Sequence, residues 1–134
     1  MSPSPEYWNS SPQLSSSNQP IEIGGDDLLY RRLGPDHVNA DGTVNSNAFK
    51  LHGRPDPEIS VDLARLTTPE QSLSRAPNDR FRLGVMQAGA VRELKLVVRH
   101  KPIDDNESHS VIEGAKSKKE CRLLAEITSL MTVP

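Results

Sequence analysis

The sequence predicts a small α+β protein: a mostly antiparallel sheet with short helices and a C-terminal helix packed on one face. Three observations carry that reading. Short stretches with strand character recur, "LLYRRL", "EISVDL", "FRLGV" and "SHSVIEG". Helix-start chemistry stands at Thr68 and Ser117, so short helices alternate with the strands. A polar loop of about eight residues joins the last two strands, a length suited to an antiparallel return.

The first element is a tail. Residues 1–27 are dominated by Ser, Pro, Asn and Gln, a composition that cannot bury enough apolar surface to offset its ordering entropy. Residues 1–27 are therefore expected to be a disordered acidic tail, and residues 28–134 a single α+β domain. Tyr7, Trp8, Leu14, Ile21 and Ile23 are either spacers in that tail or anchors for a partner or the protein's own body. The tail holds Glu6, Glu22, Asp26 and Asp27 and no Lys or Arg, which turns a whole-chain charge of −2 into +2 for residues 28–134. The folded part is mildly basic.

The remaining elements follow in order. Leu28 to Leu33 reads as a strand ended by Gly34 and Pro35. Asp41-Gly42 within "NADGTVNSNAF" suggests a hairpin. In "EISVDLARL", Ile59, Val61 and Leu63 alternate with Ser60, Asp62 and Ala64, the pattern of a half-buried strand. Thr68, Pro69 and Gln71 mark the start of a helix of about two turns, ended by Pro77. Phe81, Leu83 and Val85 begin another strand, "MQAGAVREL" a short helix, and Leu94 to Arg99 a further strand. "SHSVIEG" is the last one.

The closing helix contains a contradiction. Ser117 and Glu120 form a capping box, and Cys121, Leu124, Ala125, Thr128 and Met131 make an apolar stripe. Yet Lys116, Lys118, Lys119 and Arg122 crowd a helix N-terminus, where each cation costs about 0.3–1 kcal/mol. One reading is a solvated face whose packing outweighs that cost. The other is an anion site, in which backbone N–H groups and lysines together hold a phosphate or a carboxylate.

Composition limits the function classes. A net charge of −2 and a pI near 6.1 give no global reason to expect nucleic acid. Mean hydropathy is −0.57, and no apolar run reaches the roughly 18 residues of a membrane helix. The N-terminus lacks signal-peptide character, so a cytoplasmic location is expected. One cysteine excludes an internal disulfide, and four histidines at irregular spacing imply no metal site. Neither a cofactor nor a catalytic set is implied. "GDD" and "IDDNES" offer paired carboxylates, but in polar loops that do not raise a carboxyl pKa.

The series "LYRRL…NSNAFKL…SVDLARLTTPE…HSVIEGAKSKK…RLLA" resembles a family of small uncharacterised bacterial proteins over Leu28 to about Ala125. That resemblance implies a shared design including Arg31, Ser46, Phe49, Ser60, Asp62, His109 and Lys116, and carries no activity with it. Tyr30-Arg31 and a later strand serine are also similar to ADP-ribosyltransferase-type folds. That likeness implies an arginine on a dinucleotide phosphate, although the Glu-x-Glu of those enzymes is missing here.

The expected function is thus a non-enzymatic accessory or protein-interaction domain of a bacterial pathway, binding another protein or peptide. The alternative is a nucleotide- or phosphate-binding domain, with a divergent ADP-ribosyltransferase-like enzyme as its extreme. The residues expected to bind ligand or partner are Arg31, Ser46, His109, Lys116, Lys118, Lys119 and Arg122.

Overall fold

A computed structural model of the chain describes residues 19–114 and 116–131. Its strands are β1 (Leu28–Leu33), β2 (Lys50–Leu51), β3 (Arg54–Pro55), β4 (Glu58–Leu63), β5 (Arg82–Gln87), β6 (Val97–His100), β7 (His109–Glu113) and β8 (Ser129–Leu130). Its helices are α1 (Pro69–Ser74), α2 (Ala88–Arg92) and α3 (Lys118–Glu126). Six strands form one sheet in the order β6-β7-β4-β1-β5-β8, and every neighbouring pair is antiparallel. The α+β class and the packed C-terminal helix are as the sequence predicts.

Strand periodicity sends alternate residues to opposite faces. One face carries Leu29, Leu33, Ile59, Val61, Leu63, Met86 and Ile112, covered by Ala48 and Phe49, by α2 through Ala88 and Val91, and by α3 through Cys121, Leu124 and Ala125. The opposite face is divided. Over β1 and β5 it is closed by α1, with Tyr30 and Leu83 buried. Over β4, β7 and β6 it is open only in part: Glu58, Ser60, Val97 and Arg99 are exposed, while Asp62 and Val111 on the same face are buried.

Several elements differ from expectation for identifiable reasons. The hairpin expected around Asp41-Gly42 is one bridge, Val38↔Val44, because the chain turns into a 3-10 helix at Ser46–Phe49. Asn45 begins that turn by accepting a hydrogen bond from Asn47 N. The strand after α2 starts at Val97, not Leu94, because Lys95 takes a positive φ of 67°. α3 stops at Glu126, so Thr128 and Met131 are not on it. Thr128 bonds back to Leu124 O, and the chain extends as β8 along β5.

The expected tail boundary at residue 27 meets two kinds of residue. Residues 1–18, with Tyr7, Trp8 and Leu14, lie outside the described residues. From Ile21 the chain is bonded to the body, which thus begins before Leu28: Ile23 is only 4% exposed and belongs to the main core. Ile21 N donates to His100 Nδ1 at 2.9 Å, and Arg65 holds both Glu22 O and the Asp27 carboxylate. Ala88 N and Gly89 N, at the start of α2, donate to Asp27 O and Gly25 O. A side chain at Gly89 would stand 3.0 Å from Gly25 O, so glycine is what permits this close approach.

Candidate functional site

The predicted site residues fall into three places. Arg31 is spent inside the fold. The β1–β4 ladder runs through Leu29↔Leu63 and Tyr30↔Asp62 and then parts. The Arg31 guanidinium fills the gap, donating from Nη1 to Ser60 O at 2.8 Å and from Nε and Nη2 to Ala48 O at 3.1 and 2.8 Å. Burial lowers its pKa, and nearby Asp56 opposes that shift. Ser46 is half-buried and opens the turn that packs against α3.

Lys116 is also committed internally. Its Nζ donates to Pro57 O, Gly114 O and Ile112 O at 3.2, 3.1 and 3.5 Å. Desolvation pushes its pKa down, with Asp56 again opposing. Arg31 and Lys116 therefore spend their donors on backbone carbonyls inside the fold, and Pro57 O accepts from Gly114 N as well.

The remaining cations lie on the exposed side of α3. Lys118, Lys119 and Arg122 are exposed there, and Arg122 reaches Glu126 one turn on at 3.9 Å. The helix N-terminus itself is closed by its own side chains: Lys119 N donates to Ser117 Oγ at 3.2 Å, and Ser117 N donates to Glu120 Oε1 at 2.8 Å. The hydroxyl of Ser117 also bonds Glu120, and these bonds hold the Glu120 carboxyl below its usual range. An anion arriving at α3 meets the Glu120 carboxylate beside the lysine side chains, because Glu120, the third residue of the helix, already accepts the N–H of the N-cap Ser117.

Beside this helix stands a feature absent from the sequence-based list. β2 and β3 form a two-stranded hairpin outside the main sheet, with register Lys50↔Pro55 and Leu51↔Arg54. Its turn residues His52 and Gly53 both have positive φ, 54° and 79°, the backbone of a type I′ turn. β3 packs on α3, and Lys50 is near enough to Cys121 to lower the pKa of that thiol, which burial raises. At the tip, Leu51 is 55% exposed, the highest value among the exposed large hydrophobic residues. The apolar tip thus stands between Lys50 and Arg54 on a hairpin that packs on α3, the helix carrying Lys118 and Lys119, and none of these four cations forms an ion pair among the described residues. The signal in the sequence was "LHGR", a His-Gly pair between short extended stretches.

The third place is the open sheet face. His109 Nδ1 is 2.7 Å from Lys101 O and Nε2 is 3.2 Å from Ser60 Oγ. His100 sits one position out of register with His109 and turns to the opposite face, so the two rings are not neighbours in a shared site. Arg99–Glu113 and Lys101–Glu58 ion pairs, at 2.8 and 3.2 Å, frame this surface.

A shallow groove of about 580 Å³ lies between Gly42–Val44 and the end of α3 with β8, and none of the predicted site residues line it. Among the described residues, no group of three His, Cys, Asp or Glu residues could hold a metal, and no helix is long and apolar enough to cross a membrane. No family model matches the chain, and neither a curated protein nor a solved structure matches it.

Proposed function

We propose that this protein is an interaction domain that docks an acidic peptide or protein surface on the β2–β3 hairpin and the exposed side of α3. The observation supporting this reading most is that the hairpin with the exposed Leu51 tip packs through β3 on α3, whose exposed Lys118 and Lys119 form no ion pair among the described residues. An apolar anchor gives affinity, while surrounding charge steers encounter and fixes orientation. A partner bearing a Leu or Phe among Asp and Glu residues complements both. Free phosphate or nucleotide is the weaker occupant, because the Glu120 carboxylate already accepts the Ser117 N–H at the start of α3.

The test is fluorescence anisotropy with short peptides of three kinds: Asp/Glu-rich with one Leu or Phe, Asp/Glu-rich without it, and the Asn/Gln counterpart of the first. Binding is expected to be strongest for the first and to weaken as salt rises. Equal binding of the Asn/Gln peptide would overturn the reading.

A further inference from the structure

The open sheet face, remote from the hairpin surface in its chemistry, carries a Ser–His pair that docking does not require. Three of the histidines have other roles. His37 Nδ1 accepts the Gly34 N–H, His100 uses both ring nitrogens on backbone groups of Ile21 and Glu107, and His52 shapes the hairpin turn. His109 is different: it directs a ring nitrogen at a side-chain hydroxyl.

The geometry fixes the roles of the two rings atoms. The Lys101 carbonyl can only accept, so His109 Nδ1 carries the proton and donates to it at 2.7 Å. In the neutral ring Nε2 is then the unprotonated nitrogen, and Ser60 Oγ–H donates to it at 3.2 Å. Nucleophile, base and a group orienting the base stand in series, with a backbone carbonyl where a carboxylate often serves. Ser60 is held from behind as well, since its carbonyl accepts from Arg31 Nη1 at 2.8 Å and its neighbour Val61 is buried. Ser60 is exposed and His109 half-buried, so a reagent reaches the hydroxyl without any movement of the fold.

We infer that Ser60 is a nucleophilic serine activated by His109, and that this face accepts an acyl group from a small activated carboxylic ester. Ser60 Oγ attacks the carbonyl carbon and an Oγ–C bond forms. The hydroxyl proton passes to His109 Nε2, the bond from the carbonyl carbon to the leaving oxygen breaks, and His109 returns the proton to the departing alkoxide. The product is an O-acyl serine and the free alcohol. Water can later release the acid by the same sequence in reverse roles.

Incubating the full chain with 4-nitrophenyl acetate and mapping the acetylated peptides by mass spectrometry tests this. Acetyl on Ser60 is expected. It should form about 10²-fold or more slowly in His109→Ala, the scale of a lost general base. Ser60→Ala should lose that adduct while keeping the parent's melting curve, because the side chain is exposed. If His109→Ala fails to fold, His109→Gln retains an amide donor toward Lys101 O without a base and should show the same slowing. Acetylation confined to lysines, or equal acetylation of Ser60 without His109, would overturn the inference.

Discussion

Ser117 and Glu120 close the N-terminus of α3 on each other, with Ser117 N donating to Glu120 Oε1 at 2.8 Å while Ser117 Oγ accepts from Lys119 N. Lys118 and Lys119 make no hydrogen bond in this box through their side chains, so their charges stand at the positive end of the helix dipole with Glu120 as the acidic residue of that turn. Lys118→Glu/Lys119→Glu should therefore melt at or slightly above the parent's temperature, each reversal being worth about 0.3–1 kcal/mol at low ionic strength. The gain should shrink in salt. A double variant melting well below the parent would show that the lysines support the fold.

Asp62 holds a polar cluster across the far face of the sheet. It is fully buried and accepts from Arg32 Nη1 at 2.6 Å, Asn106 Nδ2 at 2.8 Å and the Ser72 hydroxyl. These bonds tie β4 to β1, to α1 and to the loop before β7. Asp62→Ala leaves a guanidinium, an amide and a hydroxyl without their acceptor, and should cost about 3–5 kcal/mol in chemical denaturation. A loss below about 1 kcal/mol would mean that water replaces the carboxylate readily.

His37 provides a pH dependence with a definite sign. Its Nδ1 accepts the Gly34 N–H at 3.0 Å, which requires the unprotonated ring. Burial, aided by Arg31, lowers its pKa below the ordinary 6.5. The folded state therefore binds fewer protons there than the unfolded chain. Its contribution is complete above the ordinary histidine value and is lost as pH falls through the lowered folded value. Melting temperatures taken from about pH 8 to about pH 5 should fall, and His37→Asn should flatten that part of the curve. An identical slope in both proteins would remove His37 from the acid response.

Local chemistry made much of the fold legible. Thr68 accepting from Gln71 N and the Ser117–Glu120 box start α1 and α3 where short-range capping requires. Alternation in "EISVDL" placed Ile59, Val61 and Leu63 in the core. Asp62 escaped that reading, because its burial depends on Arg32, Ser72 and Asn106, distant in sequence. Ile23 was left open between tail and body, since its polar neighbours conceal its place in the core. Gly84 shows the same dependence: a side chain there would meet the Thr128 methyl at 2.6 Å, which admits β8 beside β5. The candidate site was legible in its charges but not in its geometry. Composition gave no means of separating Arg31 and Lys116, consumed by carbonyls, from Lys118 and Lys119 on the surface.

The docking surface is the central claim, and an NMR titration addresses it most directly. Backbone amide spectra of the 15N-labelled chain would be followed as an Asp/Glu-rich peptide with a single Leu anchor is added. Shifts should concentrate at Leu51, His52, Arg54 and Lys118 to Arg122, and Lys118→Glu/Lys119→Glu or Leu51→Ser should abolish saturation. Shifts centred elsewhere on the chain, or a titration that these variants leave unchanged, would contradict the account.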